Sequence, residues 1–342
     1  MFVYLIRRTL LLIPTFIGIT LLTFLLINLA PGSPVEQKLQ AIRFGSTSSG
    51  GGSAGVSGHS DTGVNQEIID ALKKQYGFDK PVHVRYWIWL KNLSHLDFGD
   101  SFTYQEPVLD VIESKLPVSM WFGIASFILT YAICIPLGVR KAIKAGSTFD
   151  RVSSLILNFT YSIPPLVLGI FLIVIFAGKL NWFPIGGFQS DDYEAMSNWG
   201  KFADRAQHFV LPLICYMIGS FTELSFVMRN SMLDVIKSDY IRTARAKGVS
   251  ENMVNFKHAL RNALIPVATG LGGFLGAFLG GSFIIEQMFN LDGIGLLGYQ
   301  SVMSRDYNVI MGITFISSML LMLGRMLSDV IYVLIDPRID FK

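Results

Sequence analysis

Charge is scarce in this chain: Asp, Glu, Lys and Arg make up 15% of its 342 residues, while 51% are hydrophobic and the mean hydropathy is +0.48. A water-soluble fold of this size needs more polar surface. Cysteine is nearly absent too, with only Cys134 and Cys215, both inside apolar runs. That excludes a disulfide framework and a cysteine metal cluster, and leaves the two thiols as small apolar packing residues. The five histidines, His59, His83, His95, His208 and His258, show no paired HExxH spacing, so zinc chemistry has no support. There is no G-x-x-x-x-G-K-[ST] loop to cradle nucleotide phosphates and no G-x-S-x-G nucleophile elbow. No catalytic constellation is present, and the formal net charge of +3 suggests no nucleic-acid partner.

What the chain has instead is long apolar stretches. Six of them, Thr9–Leu29, Val118–Leu137, Ser154–Ala177, Phe209–Met228, Leu264–Ile285 and Val309–Leu334, lie near the ~20 residues that about 30 Å of hydrocarbon demands. The expected fold class is therefore an all-α polytopic membrane protein with six transmembrane helices, the lipid bilayer being its solvent. Short-loop charges set its orientation, because Lys and Arg resist transfer across the membrane. With the N-terminus inside, Arg7 and Arg8 precede the first span, and Arg140, Lys141, Lys144 and Arg151 join the second to the third. Seven more basic residues lie between Arg229 and Arg261, and Arg338 and Lys342 close the tail. The opposite short loops carry only Lys179, Lys201, Arg205 and Arg305. Both termini are thus expected in the cytoplasm. The first span could also be read as a cleaved signal peptide, but it is too long for a usual apolar core and Asn28-Leu29-Ala30-Pro31 is a poor cleavage site.

Three regions follow: residues 1–30 with the first span, an outer segment 31–117, and a five-helix core 118–342. Within the outer segment, Phe44–Gly63 is Gly/Ser-rich and reads as a flexible insertion that buries too little apolar area to offset its ordering entropy. From Asn65 the pattern turns helical: Ile68, Ile69, Leu72 and Tyr76 share one face, and Tyr86, Leu90 and Leu93 share another in a Trp-rich element. Those aromatics suit a headgroup-level belt or a platform for an external partner. In the fifth span Gly272, Gly276 and Gly280 form a small-xxx-small ladder for close helix packing, either within the subunit or between subunits. Ser162-Ile163-Pro164-Pro165 interrupts the third span. Of the charges at membrane depth, Glu223, Arg325 and Asp329, the last two are spaced for an i, i+4 pair.

The connection 229–262 is too long and too patterned for a simple turn. Ser238 or Asp239 can cap a short helix Tyr240–Lys247, Gly248 supplies a left-handed stop, and Ser250-Glu251 can start the next helix. Thr243, Ala244 and Ala246 would let the first helix seat in a groove, with Arg242, Arg245 and Lys247 at its rim. On its own the pattern fits a basic membrane-surface helix as well as a docking helix.

The run Asp239-Tyr240-Ile241-Arg242-Thr243-Ala244-Arg245-Ala246-Lys247-Gly248, followed by His258-Ala259-Leu260-Arg261-Asn262-Ala263, resembles the EAA loop of oligopeptide/dipeptide ABC-importer permeases. Tyr76-Gly77-Phe78-Asp79-Lys80-Pro81, Asp97-Phe98-Gly99-Asp100-Ser101, Leu291-Asp292-Gly293-Ile294-Gly295 and Ser304-Arg305-Asp306-Tyr307 resemble further pieces of that family, in order. The insertion and the ending Asp336-Pro337-Arg338-Ile339-Asp340-Phe341 look closest to its Yej-type peptide and microcin C branch. Where the general pattern has Glu-Ala-Ala, this chain has Arg242-Thr243-Ala244. The resemblance implies a type I ABC importer permease fold in the bacterial inner membrane and ATPase-coupling roles for Asp239, Tyr240, Arg242, Thr243, Ala244, Arg245, Ala246 and Gly248. It also implies a second homologous permease subunit, two cytoplasmic ABC ATPase domains carrying ATP and Mg, and a periplasmic peptide-binding protein. No cofactor is expected in this chain, which would not be an enzyme. A self-sufficient channel or scaffold without ATPase partners is the alternative, and it gives no reason for a patterned loop around Gly248.

Overall fold

In the computed structural model, residues 2–29, 74, 79–277 and 281–335 are described. The Gly/Ser-rich insertion 44–63, the expected helix around Ile68–Tyr76, Gly280 and the tail motif 336–341 lie outside them. Every regular element among the described residues is helical, apart from one isolated bridge between Asp100 and Pro107. The helices are α1 Phe2–Leu29, α2 Val82–Leu93, α3 Val108–Ile143, α4 Thr148–Ser162, α5 Pro165–Leu172, α6 Asn198–Ile236, α7 Asp239–Ala246 and a single turn α8 Glu251–Met253. After them come α9 Leu260–Thr269, α10 Phe274–Ala277, α11 Phe283–Met288, α12 Ile294–Met303 and α13 Tyr307–Ile335. The described residues fall into two compact units, one drawn from 2–12, 115–297 and 317–335, the other from 13–114 and 298–316.

Among the described residues, four helices are long and apolar enough to cross a bilayer: Arg7–Leu29, Val108–Ile143, Asn198–Ile236 and Tyr307–Ile331. Two of the six expected spans depart from a straight helix. The third is two helices, Thr148–Ser162 and Pro165–Lys179, bent by 98°. Pro165 sits at the first helical position of α5, where its missing N–H costs nothing, and Ile163 and Pro164 are extended. The fifth, expected as one helix Leu264–Ile285, breaks into α9, a 3₁₀ turn Gly270–Gly273 and α10, with α11 beginning at Phe283. The run Gly270-Leu271-Gly272-Gly273 explains the break, since glycine is about 1 kcal/mol less favourable than alanine per helical position; α9 itself runs through Pro266. Irregular backbone at membrane depth is tolerable only when buried in protein or lining a cavity. Here it does both.

In the unit of residues 13–114 and 298–316, α2 docks by Tyr86, Trp89 and Leu93, so Trp89 turns inward where Leu90 was expected. The Tyr86 hydroxyl lies 3.1 Å from Thr20 Oγ1, and Arg85 donates to Asn28 Oδ1 at 2.5 Å. Asp306, fully buried, accepts from Ser101 Oγ (2.5 Å) and the Thr103 N–H (2.9 Å), which accounts for two of the short polar motifs in the sequence.

In the other unit, two apolar clusters hold the helices. Phe122 of α3, Leu211 and Cys215 of α6, and Ile285, Phe289 and Leu291 form one. Val139, Met228, Met232, Ile241, Val254, Ala259, Ala263 and Val267 form the second, directly beneath the loop 229–262. Between α3, α4 and α6 sits a buried ion cluster. Arg229 grips Asp150 through both carboxylate oxygens at 2.8 and 2.7 Å, and fully buried Lys141 donates to Ser153 Oγ (3.0 Å) and Ser154 Oγ (2.6 Å). The expected Arg325–Asp329 pair does not form; Asp329 pairs with Arg8 of α1.

Candidate functional site

The loop 229–262 is built as two short helical pieces around a glycine elbow. Helix α7 starts after extended Ser238 and ends where Gly248 takes φ +78°, a left-handed conformation that costs an L-residue about 1–2 kcal/mol but costs glycine nothing. The Gly248 N–H donates to the Arg245 carbonyl (2.9 Å) and the Val249 N–H to that of Ala244 (3.3 Å), satisfying carbonyls at the end of the helix. Across the elbow, Arg245 binds both carboxylate oxygens of Glu251, at 2.8 and 3.2 Å. A π-turn Val254–Ala259 then leads into α9.

Side-chain chemistry divides α7 into two faces. Ile241 is wholly buried in the cluster with Met228, Met232 and Val254, and Ala244 packs against the same cluster. Thus Ala244 seats the helix on its own protein rather than in an external groove. Asp239, Tyr240, Arg242, Thr243, Arg245, Ala246 and Gly248 face outward. The Tyr240 hydroxyl accepts from Asn262 Nδ2 (2.7 Å), while Met253 and Phe256 on the following segment are large apolar side chains left exposed. A rigidly seated helix with a basic rim and neighbouring bare apolar groups is suited to bind another protein.

Deeper in the same unit, sequence reasoning passed over Glu286. It is fully buried at the end of the expected fifth span and accepts from Ser119 Oγ (3.0 Å), Tyr216 Oη (3.1 Å) and the Leu296 N–H (2.6 Å). Gly281 and Gly293 crowd against this carboxylate and Ser119, and Gly281 and Gly295 meet backbone to backbone, leaving no room for a Cβ at any of the three. The motif Leu291–Gly295 is therefore a backbone crossing locked by one acid. A lone carboxylate flanked by glycines at the edge of an apolar run was the available signal.

Beside it opens a cavity of about 510 Å³, lined by one face each of α3, α6 and the broken fifth segment. From α3 come Ser126, Thr130 and Tyr131; from α6, Tyr216, Ser220 and Glu223; from the break, Pro266, Val267, Gly270 and Gly273. The spacing 216, 220, 223, 227 is a helical stripe legible in the sequence once its polar members are read as a face. Of the packing glycines, Gly272 meets Gly324 of α13 backbone to backbone, whereas a Cβ on Gly276 would meet open space. Gly272 and Gly276 therefore do not share one face of a single α-helix, because the first lies in the 3₁₀ turn and the second in α10.

Apolar spanning helices, a bent pair, a broken segment lining a polar cavity and an outward-facing short helix define a multi-pass membrane protein of the transporter class. The profile of the binding-protein-dependent transport system inner membrane component family matches residues 134–341, and the chain belongs to that family. It is similar to the peptidoglycan transport system permease protein YejB of Agrobacterium fabrum, at 43% identity over 99% of this chain and 98% of the relative. It is likewise similar to the inner membrane ABC transporter permease protein YejB of Escherichia coli O157:H7, at 41% identity over 99% of both chains. The oligopeptide transport system permease protein AppB of Bacillus subtilis is 36% identical over 99% of both. The chain is a multi-pass inner-membrane permease component.

Proposed function

We propose that this chain forms half of the peptide-translocation pathway of an ABC importer and couples ATP hydrolysis by partner subunits to alternating access. The observation that carries the coupling role is α7, anchored by buried Ile241 and closed by left-handed Gly248, with its charged rim turned outward. In this reading the broken fifth segment completes a sixth crossing, the termini and the loop 229–262 face the cytoplasm, and residues 31–117 lie in the periplasm. The basic residues concentrated on one side support that orientation. A second homologous permease supplies the other half, two ATPase domains holding ATP and Mg dock at α7 and its counterpart, and a periplasmic binding protein delivers cargo. The names of the relatives, which speak of peptidoglycan and oligopeptide transport, favour a peptide or peptide-bearing cargo. Closure of the ATPase pair on ATP would move the seated helix and, through the shared cluster with α6 and α9, the walls of the cavity. Gentle detergent extraction of the tagged chain from its own membranes tests this: the second permease and the ATPase subunits should co-purify. Recovery of the chain alone, or with copies of itself only, would support the self-sufficient channel instead.

A further inference from the structure

Among the residues lining the polar cavity, Glu223 carries the one formal charge, and no lysine, arginine or histidine faces it from the wall. Glu223 has no hydrogen-bond or ion-pair partner among the described residues. Its side chain is exposed on the cavity wall, near the end of the span Phe209–Met228, and so stands open to an incoming cation.

The rest of the lining is polar and uncharged, with the hydroxyls of Ser126, Thr130, Tyr131, Tyr216 and Ser220. The Ser126 hydroxyl spends its proton on the Gly123 carbonyl (2.9 Å) and so presents lone pairs, while Tyr216 donates to Glu286 (3.1 Å) and accepts from the Ser282 N–H (3.1 Å). An ammonium group has three donors and no acceptor. It therefore pairs with Glu223 and with hydroxyl lone pairs beside it, while a carboxylate would meet like charge.

We propose that Glu223 receives an ammonium group of the translocated peptide, either its free N-terminus or a lysine-type side chain, and so sets a preference for cationic over neutral cargo inside the permease. The proposal rests on the peptide-importer reading above. Its test uses the complete transporter and three peptides of equal length: one with a free N-terminus and neutral side chains, its N-acetylated twin, and an N-acetylated peptide with one lysine. Uptake is normalised to assembled complex. In Glu223→Gln, uptake of the ammonium-bearing peptides relative to the acetylated neutral one should fall by about tenfold, the size of one charge-assisted hydrogen bond. Glu223→Asp should keep the preference. Loss for one ammonium peptide or for both identifies the source of the cation and supports the assignment. Equal loss for all three peptides, as a pairing of Glu223 with the second permease would give, overturns it, and so does no change in the ratio. A wild-type transporter that takes up none of the three would remove the peptide-importer reading itself, and this proposal with it.

Discussion

Substitutions at Gly248 separate backbone conformation from contact. The residue holds φ +78°, and a Cβ built on it has no atom within 4 Å, so a side chain there meets nothing in this chain. The cost of an L-residue is then purely the left-handed conformation, about 1–2 kcal/mol, which lowers the population of the native elbow by roughly 5–30-fold. Asparagine tolerates that region better than alanine or valine. The seat of α7 is not touched, because Ile241 and Ala244 pack on the other face. We therefore expect Gly248→Asn to act mildly, Gly248→Ala to reduce ATPase retention and peptide uptake more, and Gly248→Val, β-branched and worst suited to positive φ, to reduce them most, with the protein inserted normally. The assay compares retained ATPase subunit and uptake in membranes holding equal amounts of each permease. Alanine and valine variants that both behave like wild type would refute the argument. An asparagine defect as large as that of valine would locate the effect in a steric contact and not in the backbone.

At neutral pH Asp150→Asn should destabilise the detergent-solubilised protein by about 2 kcal/mol, less than the 3–5 of a fully buried pair because Arg229 is 23% exposed. Glu286→Ala strands Ser119, Tyr216 and the Leu296 N–H, at about 1–3 kcal/mol for each unsatisfied group, and should cost at least about 3 kcal/mol in a thermal melt. Cysteines at exposed Asp191 and Ser250 should be labelled by an impermeant thiol reagent from opposite faces, position 191 from the periplasm. The native Cys134 and Cys215, both buried, should stay silent.

Features with local causes were legible in the sequence. The short helix before Gly248 follows from an extended entry residue, a helical run and a left-handed stop, all within twelve residues 237–248. Four spans follow from hydropathy alone, and Pro164-Pro165 marked the break in the third, though not its 98°. Failures came where a distant partner decides. Hydropathy counts glycine as compatible with a span, yet Gly270–Gly273 lets the fifth segment abandon the α-helix because Gly324 of α13 occupies the space beside it. The partners of Glu286 lie 70 and 167 positions away on α6 and α3, beyond any local window. Asp329 takes Arg8 from the other end of the chain over Arg325 one turn away, a choice that helix spacing cannot reveal.

The central claim is that this permease moves cargo only as part of an ATP-driven complex. Purified complex in sealed vesicles, with binding protein and peptide outside and ATP inside, tests it most directly. The account predicts peptide accumulation that requires this chain, the second permease, the ATPases and ATP together. Peptide flux through vesicles holding this chain alone, unchanged by ATP, would contradict it.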